Sequence, residues 1–237
     1  MNGKKDGVLM VCYACLLVIG GLLTWLKYDY NTVKMEDVRE ACGYVSASAT
    51  SVEAPEIALT FDDGPSAAWT PALLDGLKER GVKATFFLIG ENADKNPEIV
   101  KRMAEEGHLI GNHTYHHVEL TKVTEKEARS ELADTSAAIV RITGKEPEYM
   151  RPPFGAWQRK LEQEIRMLPV LWTIDPLDWT TENQDEIVNK VVTEAEENDI
   201  ILLHDCYKSS VEAGLRIVDI LQEEGFVFVT VDELLLN

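Results

Sequence analysis

The chain reads as an α/β protein, a sheet of parallel strands covered by helices and preceded by one N-terminal transmembrane helix. Between residues 55 and 237, seven short apolar runs alternate with helical segments. Strands spaced this way pair in parallel through helical crossovers. Hydrophobic residues make up 45% of the chain and aromatic ones 8%, enough to build an ordinary core. Near the N-terminus, Gly7–Leu26 is a run of 20 uncharged residues. As a helix it spans roughly 30 Å, the thickness of a bilayer's hydrocarbon core.

Lys4 and Lys5 precede that run, only Lys27 follows closely, and Trp25, Tyr28 and Tyr30 stand at its far end. Basic residues favour the cytoplasmic side and aromatic rings the interface. Residues 1–27 are therefore expected to be a cytoplasmic tip and an anchor, making a single-pass cell-membrane protein with an extracytoplasmic domain. Thr24-Trp25-Leu26-Lys27 is a poor cleavage site, although Ala47-Ser48-Ala49 offers one further on. Residues 28–54 contain a short helical pattern at Met35–Cys42 and the small-residue stretch VSASATSVE, which reads as a tether. The folded domain spans 55–237. With Cys12 and Cys15 in the anchor, Cys42 and Cys206 remain, paired or free.

The domain repeats one grammar. IALTF (57–61) precedes a helix from Thr70 to Arg80 that Gly81 stops. ATFFLIG (84–90) precedes PEIVKRMAEEG (97–107), and HLIGN (108–112) precedes a long helix whose Thr124-x-x-Glu127 is a capping box. YMRPP (149–153) is followed by a short helix near Lys160–Met167, and PVLWTID (169–175) by a helix over Asp185–Glu197. DIILLH (199–204) leads to a helix over Ser210–Glu224, and FVFVTV (226–231) ends the series. A β/α barrel and a doubly wound sheet both fit this pattern.

Charge excludes one class of partner: 23 basic residues against 41 acidic leave −18, which opposes binding to a phosphate backbone, so no nucleic acid is expected. Polar residues at strand C-termini are where such folds build sites. Asp62 and Asp63 close the first strand, and Gly64-Pro65 bends the chain so that both carboxylates can face one pocket. His113 and His117 are four apart, a spacing that puts two imidazoles on one side of a helical turn. With Asp63 or Asp62 as third ligand they form a site that leaves positions open for water and substrate. His108 starts a strand and reads as structural. Arg151, Asp178 and His204 stand at three further strand ends.

Five motifs in order, TFDDGP, HTYHH, RPPFG, DPLDW and LLH, make residues 56–237 resemble the metal-dependent polysaccharide deacetylases, carbohydrate esterase family four. The resemblance implies a distorted (β/α)7 barrel. It implies Asp63, His113 and His117 as ligands of a divalent metal, zinc first, with cobalt, manganese or nickel as alternatives. It further implies Asp62 as general base, Arg151 as the group that orients it, and His204 as general acid with Asp178 raising its pKa. The Phe154 N–H would hold the oxyanion, and Trp179 and Leu202 would wall a slot for the acetyl methyl. The activity implied is deacetylation of an acetylated glycan; the anchor's short reach points to wall peptidoglycan, and the resemblance to its N-acetylglucosamine. Alternatives are acetylxylan, chitooligosaccharides, or a glycan-binding module without catalysis.

Overall fold

The computed structural model describes residues 54–157 and 165–236. The expected anchor, the tether except Ala54, Cys42 and most of the helix expected at Lys160–Met167 lie outside these residues. Residues 165–167 of that segment are not helical. Among the described residues, no helix is long and apolar enough to cross a membrane.

The elements run β1 (Glu56–Asp62), α1 (Thr70–Glu79), β2 (Thr85–Leu88), α2 (Gly90–Lys95), α3 (Pro97–Glu105), β3 (Leu109–Asn112), α4 (Glu125–Thr143), β4 (Tyr149–Met150), β5 (Leu168–Pro169), α5 (Gln184–Glu194), β6 (Ile200–His204), α6 (Lys208–Glu223), β7 (Val227–Val229) and α7 (Val231–Leu236). The strands form one parallel sheet in the order β5-β4-β3-β2-β1-β6. β7 pairs with the first half of β1, Glu56–Ala58, and β2 with its second half, Thr60–Asp62. In the β1–β6 register, Asp62 stands opposite His204.

Connectivity makes this sheet curl. Pro169 pairs with Met150 in β4, while Ile174 bridges Ile201 on the free edge of β6. Those two places are six strand spacings apart, about 29 Å if the sheet were flat, and five residues of chain reach about 17 Å at most. The result is a curled half-barrel of α/β type. The run expected as one strand at 169–175 is therefore two short contacts at opposite edges, broken between them. Shortening elsewhere has local causes. β4 stops at Met150 because Pro152 and Pro153 offer no N–H to a ladder. β7 stops at Val229 because Thr230 begins a turn, its N–H bonded to Glu233 Oε2 (2.9 Å), that opens α7.

Period-two alternation sorts β1 between two environments. Ile57, Leu59 and Phe61 pack outward in the large core that includes Leu73, Leu77 and Ile217 of α1 and α6. Ala58 belongs to a second cluster, with Phe87 and Val170. Thr60 and Asp62, on the same face as Ala58, are buried but polar, so this face changes from apolar to reactive as the strand rises. The long helix α4 starts where the sequence places it. Thr124 Oγ1 accepts from the Glu127 N–H, Glu127 Oε2 accepts from the Thr124 N–H, and Gly144 ends the helix at φ 74°.

Candidate active site

The C-terminal ends of β1, β3 and β6, with the loops after β4 and β5, surround a cavity of about 470 Å³. Asp62, Asp63, His113, His117, Phe154, Trp179, Leu202 and His204 line it. Arg151 and Asp178 are buried behind the wall. All ten residues singled out in the sequence thus meet at one place.

Asp62 ends β1 in extended backbone, and Asp63 turns to φ 71°. This change brings two consecutive carboxylates to one cavity. The turn is held from α2: Asn92 Nδ2 donates to the Asp63 carbonyl (2.8 Å), and the Gly64 carbonyl accepts from the Ile89 N–H (3.2 Å). A Cβ at Gly64 would collide with the Asp205 carboxylate, so this close approach requires glycine. Asp205 is fully buried and accepts from Thr70 Oγ1; burial pushes its pKa up to about 7.

Asp63 Oδ1 lies 3.4 Å from both His113 Nε2 and His117 Nε2. His113 Nδ1 is 2.7 Å from the Arg151 carbonyl oxygen, an acceptor only, so Nδ1 carries a hydrogen and Nε2 is the nitrogen turned toward Asp63. His117 is lowered below its ordinary pKa, first by burial, against a smaller opposing pull from Asp63, so the neutral, metal-binding form is favoured. Asp63 Oδ1 is buried and has no hydrogen-bond donor, a costly arrangement that a cation would relieve. Among the described residues this trio is the group whose ligand atoms all lie close enough to share an ion, within 4.8 Å of one another. A divalent metal fits the donor set.

Arg151, wholly buried, joins the two halves of the site. Its Nη1 donates to Asp62 Oδ1 (2.8 Å) and Thr60 Oγ1 (2.7 Å), while Nε and Nη2 donate to the carbonyls of Val170 (3.2 Å) and Leu171 (3.1 Å). The guanidinium lies 4.2 Å from the Phe87 ring centroid. A Cβ at Gly111 would strike that ring, so the glycine in β3 leaves the space the stack occupies. Across the cavity, His204 Nδ1 is 2.8 Å from Asp178 Oδ1, and Asp178 Oδ2 accepts the His204 N–H (2.9 Å). Burial alone would lower the His204 pKa, but Asp178, with Asp62 and Asp63, outweighs it and raises the pKa to about 9.

Phe154, in the turn Pro153–Gly155, has φ 60° and a ring 67% exposed at the rim, edge-on to His117. Trp179 is 57% exposed at the mouth, whereas Leu202 is buried in the wall. Sequence reasoning missed Trp172 and Tyr207, which also line the cavity. Tyr207 follows the LLH motif by three residues, with its ring edge-on to His204 at 6.3 Å. Neither aromatic residue has a spacing signal; each is placed by a loop that only the closed fold defines.

A curled parallel sheet gathering two histidines and a carboxylate at its C-terminal rim defines the class, an α/β fold with a candidate metal centre. The polysaccharide deacetylase family model matches residues 49–171, and the chain belongs to that family. A peptidoglycan-N-acetylglucosamine deacetylase of Bacillus cereus is 43% identical over 79% of this chain and 70% of its own length. The peptidoglycan-N-acetylglucosamine deacetylase PgdA of Listeria monocytogenes is 38% identical over 85% of this chain. This chain spans 45% of that relative's length. The solved structure of peptidoglycan deacetylase PdaC from Bacillus subtilis superposes with a TM-score of 0.75 at 40% identity, covering 77% of this chain and 90% of that one.

Proposed function

We propose that this chain removes acetyl groups from N-acetylated glycan in a metal-dependent hydrolysis, with N-acetylglucosamine of peptidoglycan as substrate. The observation that carries the reading is the meeting of two groups on one cavity: the Asp63/His113/His117 trio, and Asp62 facing His204 across paired strands. A divalent ion held by the trio, zinc first among the candidates, would supply a water of lowered pKa and polarise the acetyl carbonyl. Asp62, fixed by Arg151, takes the proton from the attacking water. The Phe154 N–H donates to the oxyanion, an interaction worth roughly 3 to 4 kcal/mol when preorganised. His204, kept protonated beside Asp178, gives its proton to the departing amine. Trp179 and Leu202 enclose the methyl.

The glycan assignment draws on the Bacillus cereus and Listeria monocytogenes relatives above, whose names specify peptidoglycan N-acetylglucosamine, and on location. We read Gly7–Leu26 as a membrane anchor and the following residues to 54 as a tether, which keeps the domain within roughly 95 Å of the bilayer even fully extended. Wall glycan lies within that reach. Acetate release from purified peptidoglycan, chitin oligomers and acetylxylan tests the substrate: release from peptidoglycan is expected, and release from acetylxylan alone would move the assignment to O-deacetylation. Protease added to intact spheroplasts should digest the domain, and protection until lysis would reverse the topology.

A further inference from the structure

His117 is reached through a turn, residues 113–117, that has neither helix nor strand of its own. Two of its residues, Thr114 (φ 64°) and His117 (φ 57°), hold left-handed backbone without being glycine, a conformation that persists only where the surroundings impose it. His113 is fixed independently, by its bond to the Arg151 carbonyl and by its N–H to the Leu88 carbonyl (2.9 Å). What fixes the far end of the turn is a carboxylate on α4. Glu131 Oε2 accepts from the N–H of Tyr115 (2.9 Å) and of His116 (2.7 Å), and Oε1 lies 2.8 Å from His116 Nδ1. These are charge-assisted bonds, about twice as strong as neutral ones. Weaker neighbours support the same turn: Asn112 Oδ1 accepts from Thr114 N–H (2.9 Å), and the Thr114 and Tyr115 carbonyls accept from the N–H groups of Gly90 (3.0 Å) and Glu91 (3.1 Å).

We infer that Glu131 is a positioning residue for the metal centre: its carboxylate clamps the 115–116 backbone and so places His117, not His113, within reach of the ion. The inference rests on the metal-centre reading above. Glu131 hydrogen-bonds none of the three ligands and does not line the cavity, and its effect runs through two consecutive backbone N–H groups.

Zinc affinity of the purified full chain, measured by competition with a chromophoric chelator, tests this, together with the visible spectrum of the cobalt-loaded protein. Glu131→Ala should bind zinc about tenfold to hundredfold more weakly and alter the cobalt bands, while its metal-free melting curve stays cooperative. Glu131→Gln, whose carbonyl still accepts both N–H groups, should restore affinity to within about threefold. His116→Ala, which leaves both backbone bonds in place, should do the same. Wild-type zinc affinity and an unchanged cobalt spectrum in Glu131→Ala would overturn the assignment. If that variant does not fold, Glu131→Asp, which withdraws the charge by one methylene, decides on the same measurement, and wild-type affinity there overturns it. Failure of the wild-type chain to bind any divalent ion would instead refute the metal centre itself, and the assignment with it.

Discussion

Two largely enclosed histidines stand at opposite ends of the same sheet, His108 buried and His204 partly buried, and they differ in almost everything else. His108, just before β3, is 7% exposed; its Nδ1 accepts the Ala84 N–H (3.1 Å), and its ring meets the edge of Phe86. Burial, with Lys83 and Arg102 nearby, pushes its pKa down to about 4. His204, at the end of β6, has Asp178 on its Nδ1 and Asp62 and Asp63 across the cavity, and its pKa rises to about 9. Desolvation acts on both in the same direction, so the carboxylates make the difference. Backbone geometry divides the same way. Of the six non-glycine residues with positive φ among the described residues, Asp63, Thr114, His117, Phe154 and Leu177 lie at or beside the site, while Asn198 lies before β6. Each such residue costs about 1 to 3 kcal/mol, and the surrounding hydrogen bonds offset it. One end of the sheet is built for stability and the other for chemistry.

The largest expected effect falls on the metal trio. Asp63→Ala or His113→Ala should lower acetate release roughly a thousandfold, since metal assistance is worth several kcal/mol at about 1.4 kcal/mol per tenfold. Chelation should do the same and added divalent ion restore it; full activity in a metal-free sample would remove the distinction between the two ends.

Next come the proton-transfer groups. Asp62→Asn and His204→Ala should each reduce turnover about a hundredfold or more, and each should also lower the melting temperature. Asp62→Asn removes the charged partner of a wholly buried Arg151, and His204→Ala removes the partner of a buried Asp178 carboxylate, a loss of several kcal/mol in each case. A wild-type melting temperature in Asp62→Asn would show that Arg151 is held by its carbonyl contacts alone.

Smaller is the pH response. Because the folded pKa of His204 is raised, its proton is retained below about 9 and lost above, so kcat/KM should fall as pH rises through about 9. Asp178→Asn should move that alkaline limb down toward the ordinary value near 6.5, and an unmoved limb would assign it to another group. Smallest is His108. Its depressed pKa means that stability is full above about 6.5 and falls as pH drops toward 4, by up to about 2 kcal/mol after allowance for screening. His108→Gln should flatten that acid slope in thermal melts and leave acetate release unchanged. Impaired turnover would break the contrast.

Much of this was legible in the residues because local signals suffice for it. The capping box at Thr124, the stop at Gly81 and the parallel strands outside 169–175 each follow from short-range pattern. The five motifs placed every candidate at a strand end. Three features needed the fold. The split of 169–175 into two edge contacts depends on curling, which no local period encodes. α2 (Gly90–Lys95), a single short turn of helix before Pro97, carries too few residues for a periodic signal. Glu131 is fourteen residues past His117 and looks like any exposed helical glutamate until α4 docks beside the 113–117 turn. The anchor is a matter of composition, and its residues lie outside those described.

The pairing of Asp62 with His204 has a consequence for how this scaffold can vary. Both residues belong to hydrogen-bonded strands, so the backbone spacing beneath the two groups assigned to proton transfer is set by the ladder at about 4.8 Å. Trp179, Tyr207 and Phe154, by contrast, are carried on connections that share no such ruler. Loops around the rim can therefore be lengthened, shortened or exchanged to suit a different sugar while the backbone beneath the base and the acid keeps its original gauge.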